Sequence, residues 1–323
     1  MARKVEVGDL VDRARQRQPR AVARLISLVE DASPQLREVA AALAPHTGRA
    51  EVIGLTGSPG VGKSTTTSAL VSAYRAQGKR VGVLAVDPSS PFSGGALLGD
   101  RIRMQDHATD PDVFIRSMAT RGHLGGMAWA TPQALRVLDA AGFDVVLIET
   151  VGVGQSEVDV VSLADTTLVL LAPGMGDGIQ AAKAGILEIA DVFVVNKADR
   201  DGAETTVREL KYMISLGRRE IRGATWRQPV CKTVAARTEG IDEVTAAIAE
   251  HRAWMVQRGE LAERRTHRAR TEVEAIAVET LRSTLGNLRG GDTLDRLAKQ
   301  VMAGHLDPYA AATTLIEDVK AAD

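Results

Sequence analysis

Apolar positions along the chain fall into three rhythms. Between residues 9 and about 45, Leu10, Val11, Ala14, Ala21, Val22, Leu25, Ile26, Leu28 and Val29 recur at largely helical spacing and end at Pro45-His46-Thr47-Gly48, which predicts a helical lead-in. From Glu51 to about Ile248, short apolar runs alternate with helical stretches, and strands are expected near 51–56, 80–86, 112–116, 143–148, 166–171, 191–195 and 229–234. That alternation calls for an α/β, doubly wound, mainly parallel sheet covered on both faces. Beyond Glu250, Trp254, Val256, Leu261, Val273, Ile276, Val278, Leu281 and Leu285 are interleaved with charged residues, which predicts a long helical arm over about Arg252 to Arg282. A turn at Gly286-Asn287 and Gly290-Gly291-Asp292, followed by Leu294, Leu297, Val301 and Met302, predicts at least one further helix pair. The expected division is a helical extension over 1–48, a sheet domain over 49–250 and a helical arm over 251–323. The arm's apolar stripe has two candidate covers, the sheet domain or a second copy of the chain.

Candidate chemistry lies where the expected strands end. The first strand runs into Gly57-Ser58-Pro59-Gly60-Val61-Gly62-Lys63-Ser64 and then Thr65, a phosphate loop in the strand-loop-helix context that such a loop requires. Its backbone N–H groups and the following helix N-terminus suit phosphate oxygens. Lys63 would reach the β- and γ-phosphates, and the Ser64 hydroxyl would ligate Mg²⁺. The run 192–195 ends in Asn196-Lys197-Ala198-Asp199. A carboxylate at Asp199 can accept from both N1–H and the exocyclic amine of guanine, whereas adenine lacks that donor pair, so GTP is expected over ATP.

Metal and switch candidates fall between these two motifs. Asp87 and Glu149 each close an apolar strand, and a carboxylate at a buried strand tip calls for a cation or hydrogen bonds. Asp100 is a third metal candidate, with a helix-capping aspartate as the alternative. Gly152 can bring its N–H to the γ-phosphate, which makes Glu149 to Glu157 a nucleotide-sensing switch. In Ras-type GTPases a Gln after the switch glycine orients the attacking water. Here that position is Val153, with Gln155 two residues on, so slow hydrolysis by the isolated chain is expected.

Composition excludes more than it adds. The 323 residues are 45 % hydrophobic, ample for a full core, and the formal charge of −1 gives no reason to expect nucleic acid or an anionic membrane. An aromatic content of 3 % argues against a base-stacking surface. The basic run Arg264, Arg265, His267, Arg268, Arg270 is flanked by Glu260, Glu263, Glu272 and Glu274 and reads as a solvated helix face. The single cysteine, Cys231, excludes an internal disulfide and is expected to be a small buried side chain. No apolar run reaches a membrane-span length and the N-terminus has no signal-peptide core, so a cytoplasmic location is expected. Nickel delivery is disfavoured because the six histidines are scattered and no Cys-x-x-Cys occurs.

Taken with Val86-Asp87-Pro88-Ser89-Ser90, Gly94 to Met104, Glu149 to Glu157 and Gly176-Asp177-Gly178-Ile179-Gln180, the two nucleotide motifs resemble the GTPase that accompanies methylmalonyl-CoA mutase. That family belongs to the metallochaperone-like P-loop GTPases. The resemblance spans nearly the whole chain and implies a homodimeric, Mg²⁺-dependent chaperone. It would hydrolyse GTP to GDP to gate adenosylcobalamin delivery to the mutase and to protect that enzyme. It also implies that Lys63, Asp100, Glu149 and Gly152 serve catalysis, that Ser64, Asp87, Asp100 and Glu149 surround Mg²⁺, and that Asn196, Lys197 and Asp199 hold guanine. Gly174 to Lys183 would be an additional switch toward the mutase. The alternatives are a metal-delivering GTPase and a P-loop small-molecule kinase.

Overall fold

The computed structural model describes residues 6–31, 33–88, 104–107, 109–120, 130–150, 162–174, 189–217, 225–286 and 292–322. The chain divides into two compact units, Met1–Glu263 and Arg264–Asp323. In the first unit, seven strands form one sheet: β1 (Glu51–Thr56), β2 (Val81–Pro88), β3 (Val113–Thr120), β4 (Val145–Thr150), β5 (Thr166–Leu171), β6 (Val192–Val195) and β7 (Val230–Lys232). Their spatial order is β3-β2-β4-β1-β5-β6-β7, and each neighbouring pair is parallel. All seven lie where the apolar runs place them. β7 is shorter than expected because Val234 leaves the ladder and forms an antiparallel bridge with Glu239 instead.

Alternation along the strands explains the layers. Successive strand residues point to opposite faces. On β4, Val145 and Leu147 join one core cluster while Val146 and Ile148 join another. The first face is covered by α4 (Lys63–Ala76), through Leu70, Val71 and Tyr74, and by the later helix Ile241–Arg258, through Val244 and Ile248. The second is covered by the helical lead-in, which comprises α1 (Val7–Arg15), α2 (Pro19–Glu30) and α3 (Leu36–Leu43), together with α5 (Ala130–Ala140). Leu25, Ile26 and Val39 pack there with Leu84, Met118 and Ile148. The lead-in breaks between α1 and α2 where Arg17 takes a left-handed conformation (φ 65°) just ahead of Pro19, the first residue of the next helix. Farther along the sheet, α6 (Ala203–Gly217) buries Val207 and Leu210 against Phe193 and Val195.

The long arm expected over Arg252 to Arg282 is not one helix. α7 (Ile241–Arg258) ends at Gly259, whose φ of 78° closes the helix in the left-handed conformation, and α8 (Glu260–Gly286) begins afresh. In the second unit, α9 (Asp292–Met302) and α10 (Pro308–Ala322) pack on each other as the expected helix pair, with Leu297 and Ala311 buried. Among the described residues, no helix is long and apolar enough to cross a membrane.

Candidate functional site

The strand order reverses at β1: the chain builds outward to β2 and β3 on one side, returns to β4, and then crosses to β5. Crevices at the carboxyl ends of strands around such a point are where open α/β sheets bind ligands. The phosphate loop leaves β1 there. Gly62 (φ 96°) precedes α4, which starts with no side-chain cap, so its first N–H groups face the loop. Lys63 and Ser64 are both buried. Lys63 Nζ donates to the carbonyl oxygens of Gly57 and, at 3.2 Å, Ser58, which holds the ammonium at the loop.

Glu149 pairs in register with Leu55 of β1 and Ala85 of β2, so its side chain emerges beside the phosphate loop. Its carboxylate is buried. Ser64 Oγ donates to Oε1 at 2.5 Å and Thr67 Oγ1 donates to Oε2 at 2.9 Å. Hydroxyl and carboxylate oxygens in contact are the hard donor set that Mg²⁺ selects. Asp87 lies at the end of β2, two residues beyond the position level with Glu149, with its side chain outside the described residues. Asp100, Gly152, Val153, Gln155, Asp177 and Gln180 also lie outside the described residues, as does most of Gly174 to Lys183.

The Asn196 to Asp199 turn closes the other end of the site. Asn196 is buried and bonded on both sides of its amide. Nδ2 donates to the Val61 carbonyl at 2.8 Å, and Oδ1 accepts from Thr233 Oγ1 and from the Ala235 N–H, both at 3.1 Å. Lys197 takes a left-handed conformation (φ 56°), and its Nζ donates to the Gly60 carbonyl at 2.6 Å. A Cβ on Gly62 would fall 2.3 Å from Asn196 Nδ2. These bonds fasten the phosphate loop, the 196–199 turn and the 233–240 loop into one frame. Asp199 stands exposed at its rim, with Oδ2 3.1 Å from an Arg237 nitrogen.

Thr67, Thr233, Ala235 and Arg237 were not foreseen. Thr67 sits one helical turn after Ser64, a spacing that could have suggested a second hydroxyl on the same face. Ala235 acts through its backbone N–H, which leaves no trace in residue type. Cys231 on β7 is buried as expected, its Sγ donating weakly to the Glu243 carbonyl at 3.9 Å. Burial first, then the charges of Glu243 and Glu250, push its thiol pKa up to about 11.

A family model described as methylmalonyl-CoA mutase-associated GTPase MeaB matches residues 22–287. A putative GTPase of Pyrococcus abyssi is 46 % identical over 314 residues, 97 % of each chain. The mouse protein named mitochondrial methylmalonic aciduria type A homolog is 37 % identical over 272 residues, 83 % of this chain and 65 % of that one. Among solved structures, one described as an LAO/AO transport system kinase superposes with a TM-score of 0.70 at 27 % identity, covering 99 % of both chains.

Proposed function

The chain belongs to the family of methylmalonyl-CoA mutase-associated P-loop GTPases, and on that premise we propose that it is a slow, Mg²⁺-dependent GTPase that gates adenosylcobalamin delivery to methylmalonyl-CoA mutase. The observation that carries the nucleotide part is Asn196, whose amide joins the phosphate loop to the turn bearing Asp199, as a site reading triphosphate and base together requires. In this reading the N–H groups of Gly57 to Thr65 cradle the phosphates and Lys63 turns from the loop carbonyls to the β- and γ-oxygens. Asp199 accepts from guanine, while Asn196 and Lys197 hold the loops that frame it. Ser64 and Glu149 would hold Mg²⁺, with Asp87 and Asp100 as further carboxylates; the buried Ser64–Glu149 oxygen pair fits that ion. Bound Mg²⁺ would offset negative charge on the phosphates. Gly152 would donate its N–H to the γ-phosphate, and Val153 cannot orient water, so turnover waits on a partner.

The mutase part is supported by the family description and by the name of the mouse relative. The arm, residues 251–323, would pair with a second copy, since Val273 and Leu281 on α8 are exposed apolar side chains in need of a cover. The test is GTP turnover with and without purified methylmalonyl-CoA mutase, with the chain's mass read by light scattering. Slow basal hydrolysis, clear stimulation and a mass of two chains are expected, with Asp177→Ala or Gln180→Ala losing stimulation alone. Fast turnover indifferent to the mutase overturns the switch, a single-chain mass overturns the pairing, and phosphoryl transfer to a small acceptor would replace hydrolysis with a kinase reaction.

A further inference from the structure

We propose that Arg237 is a positioning residue for nucleotide specificity: its guanidinium holds the Asp199 carboxylate in the orientation that reads both N–H donors of guanine. The inference rests on the reading of Asp199 as the guanine acceptor. Asp199 is a short side chain at the rim of the site, 45 % exposed, and among the described residues Arg237 is its one ion-pair partner, at 3.1 Å. A carboxylate that must accept two donors at once needs both oxygens turned toward the base. Among the described residues, the ion pair that reaches this side chain comes from Arg237, outside its own turn.

The loop carrying Arg237 is well placed to fix it. Arg237 closes a short 3-10 turn, Ala235–Arg237, whose first N–H already donates to Asn196 Oδ1. Arg237 N donates to the Val234 carbonyl at 2.8 Å, and Val234 N donates to the Glu239 carbonyl at 3.1 Å. Thr238 completes the reversal in a left-handed conformation, φ 59°. The base of the Arg237 side chain is therefore tied to the frame that holds Asn196. At its far end, Glu239 Oε1 lies 3.4 Å from Nε, on the same side edge of the guanidinium as the Nη2 atom that meets Asp199. With both carboxylates along one edge, the planar fork has a preferred orientation toward Asp199. A carboxylate oxygen has room for more than one donor, so Asp199 Oδ2 can keep Arg237 while taking a base N–H.

The opposite sign is the rival account, in which Arg237 competes with guanine for Oδ2 and its removal tightens binding. Because both side chains are about half exposed, 55 % and 45 %, the effect in either direction is limited to about fivefold. The experiment measures GDP, IDP and ADP affinities of the full chain by competition against fluorescent GDP for wild type, Arg237→Ala and Arg237→Lys. IDP lacks the exocyclic amine and engages one carboxylate oxygen, so it is less sensitive to rotation of the group. The expected result for Arg237→Ala is a GDP affinity lowered about three- to fivefold, a smaller loss for IDP, and hence a reduced GDP/IDP ratio. Arg237→Lys should recover part of that ratio, and the thermal midpoint should not move. Equal losses for GDP and IDP, no loss, or tighter GDP binding would each overturn the proposal. If wild type itself fails to bind GDP, the GTPase reading falls too; if wild type binds and Arg237→Ala matches it, only this inference falls.

Discussion

Gly62→Ala tests the frame that joins phosphate recognition to base recognition. Two separate costs arise at this position. The backbone is left-handed, φ 96°, which costs a residue with a Cβ about 1–2 kcal/mol. The new methyl would also sit 2.3 Å from Asn196 Nδ2, so Asn196 must move. That side chain is buried and makes bonds to Val61, Thr233 and Ala235. Losing even one with its partner left buried costs about 1–3 kcal/mol. Together these give roughly 2–5 kcal/mol, or about 30-fold to several thousand-fold if expressed wholly as GDP affinity. Gly60→Ala is the control: its φ of 81° carries the backbone cost, but nothing lies within 4 Å of its would-be Cβ. It should weaken GDP only about 5- to 30-fold. Titration calorimetry with GDP, combined with urea unfolding, captures the cost whether it falls on binding or on folding. The cycle closes with Asn196→Ala, in which Gly62→Ala should cost no more than Gly60→Ala does in wild type. If Gly62→Ala is no more harmful than Gly60→Ala in the wild-type background, the packing of Asn196 against the phosphate loop is not what holds the site.

Two further outcomes follow from single side chains. Asp199→Asn should lose GDP affinity and gain xanthosine diphosphate, because an amide can donate to the xanthine C2 carbonyl where the carboxylate only accepts; unchanged guanine selectivity in competition would mean that another loop reads the base. Cys231 has its thiol pKa raised to about 11 by burial, so the native protein holds it protonated from pH 7 to 9. Its alkylation by iodoacetamide should stay slow across that range, while the urea-unfolded chain speeds up through about pH 8.5. The shift also sets a stability sign: thiolate formation favours the unfolded chain, so this group's contribution declines as pH rises above about 8.5 and levels off only above about 11. Native alkylation as fast as unfolded at pH 8.5 would show the thiol open to solvent.

Much of the architecture could be read from the order of residues because each strand is a short apolar run bounded by glycine, proline or charge. β1 and β5 run from first to last residue as expected, whereas β7 is cut short by a local pairing between Val234 and Glu239, a contact that apolar pattern does not encode. The break at Gly259 falls inside a stretch of helical spacing, and it is the left-handed φ of that glycine that stops α7. In the site, Lys63, Ser64, Glu149 and Asn196 carried their own signals through motif spacing and strand-end position. Thr233 and Ala235 did not. They reach Asn196 from 37 and 39 positions downstream, and one of them contributes only peptide N–H. His251, one of the six scattered histidines, is a core residue, with Nδ1 2.9 Å from Thr166 Oγ1.

The lead-in helices have a consequence for how the chain is made. α1, α2 and α3 bury their apolar stripes against Leu84, Met118, Val146 and Ile148, a set that is complete only once the ribosome has translated the chain from Leu43 through Ile148. At roughly 5–20 residues per second, the first helices stay without their resting place for on the order of ten seconds. During that interval Leu25, Ile26 and Val29 are sticky surface on a nascent chain. Growth conditions that slow elongation through β2 to β4 lengthen that exposure, and the yield of intact protein should track holdase supply more closely than it tracks the final stability of the fold.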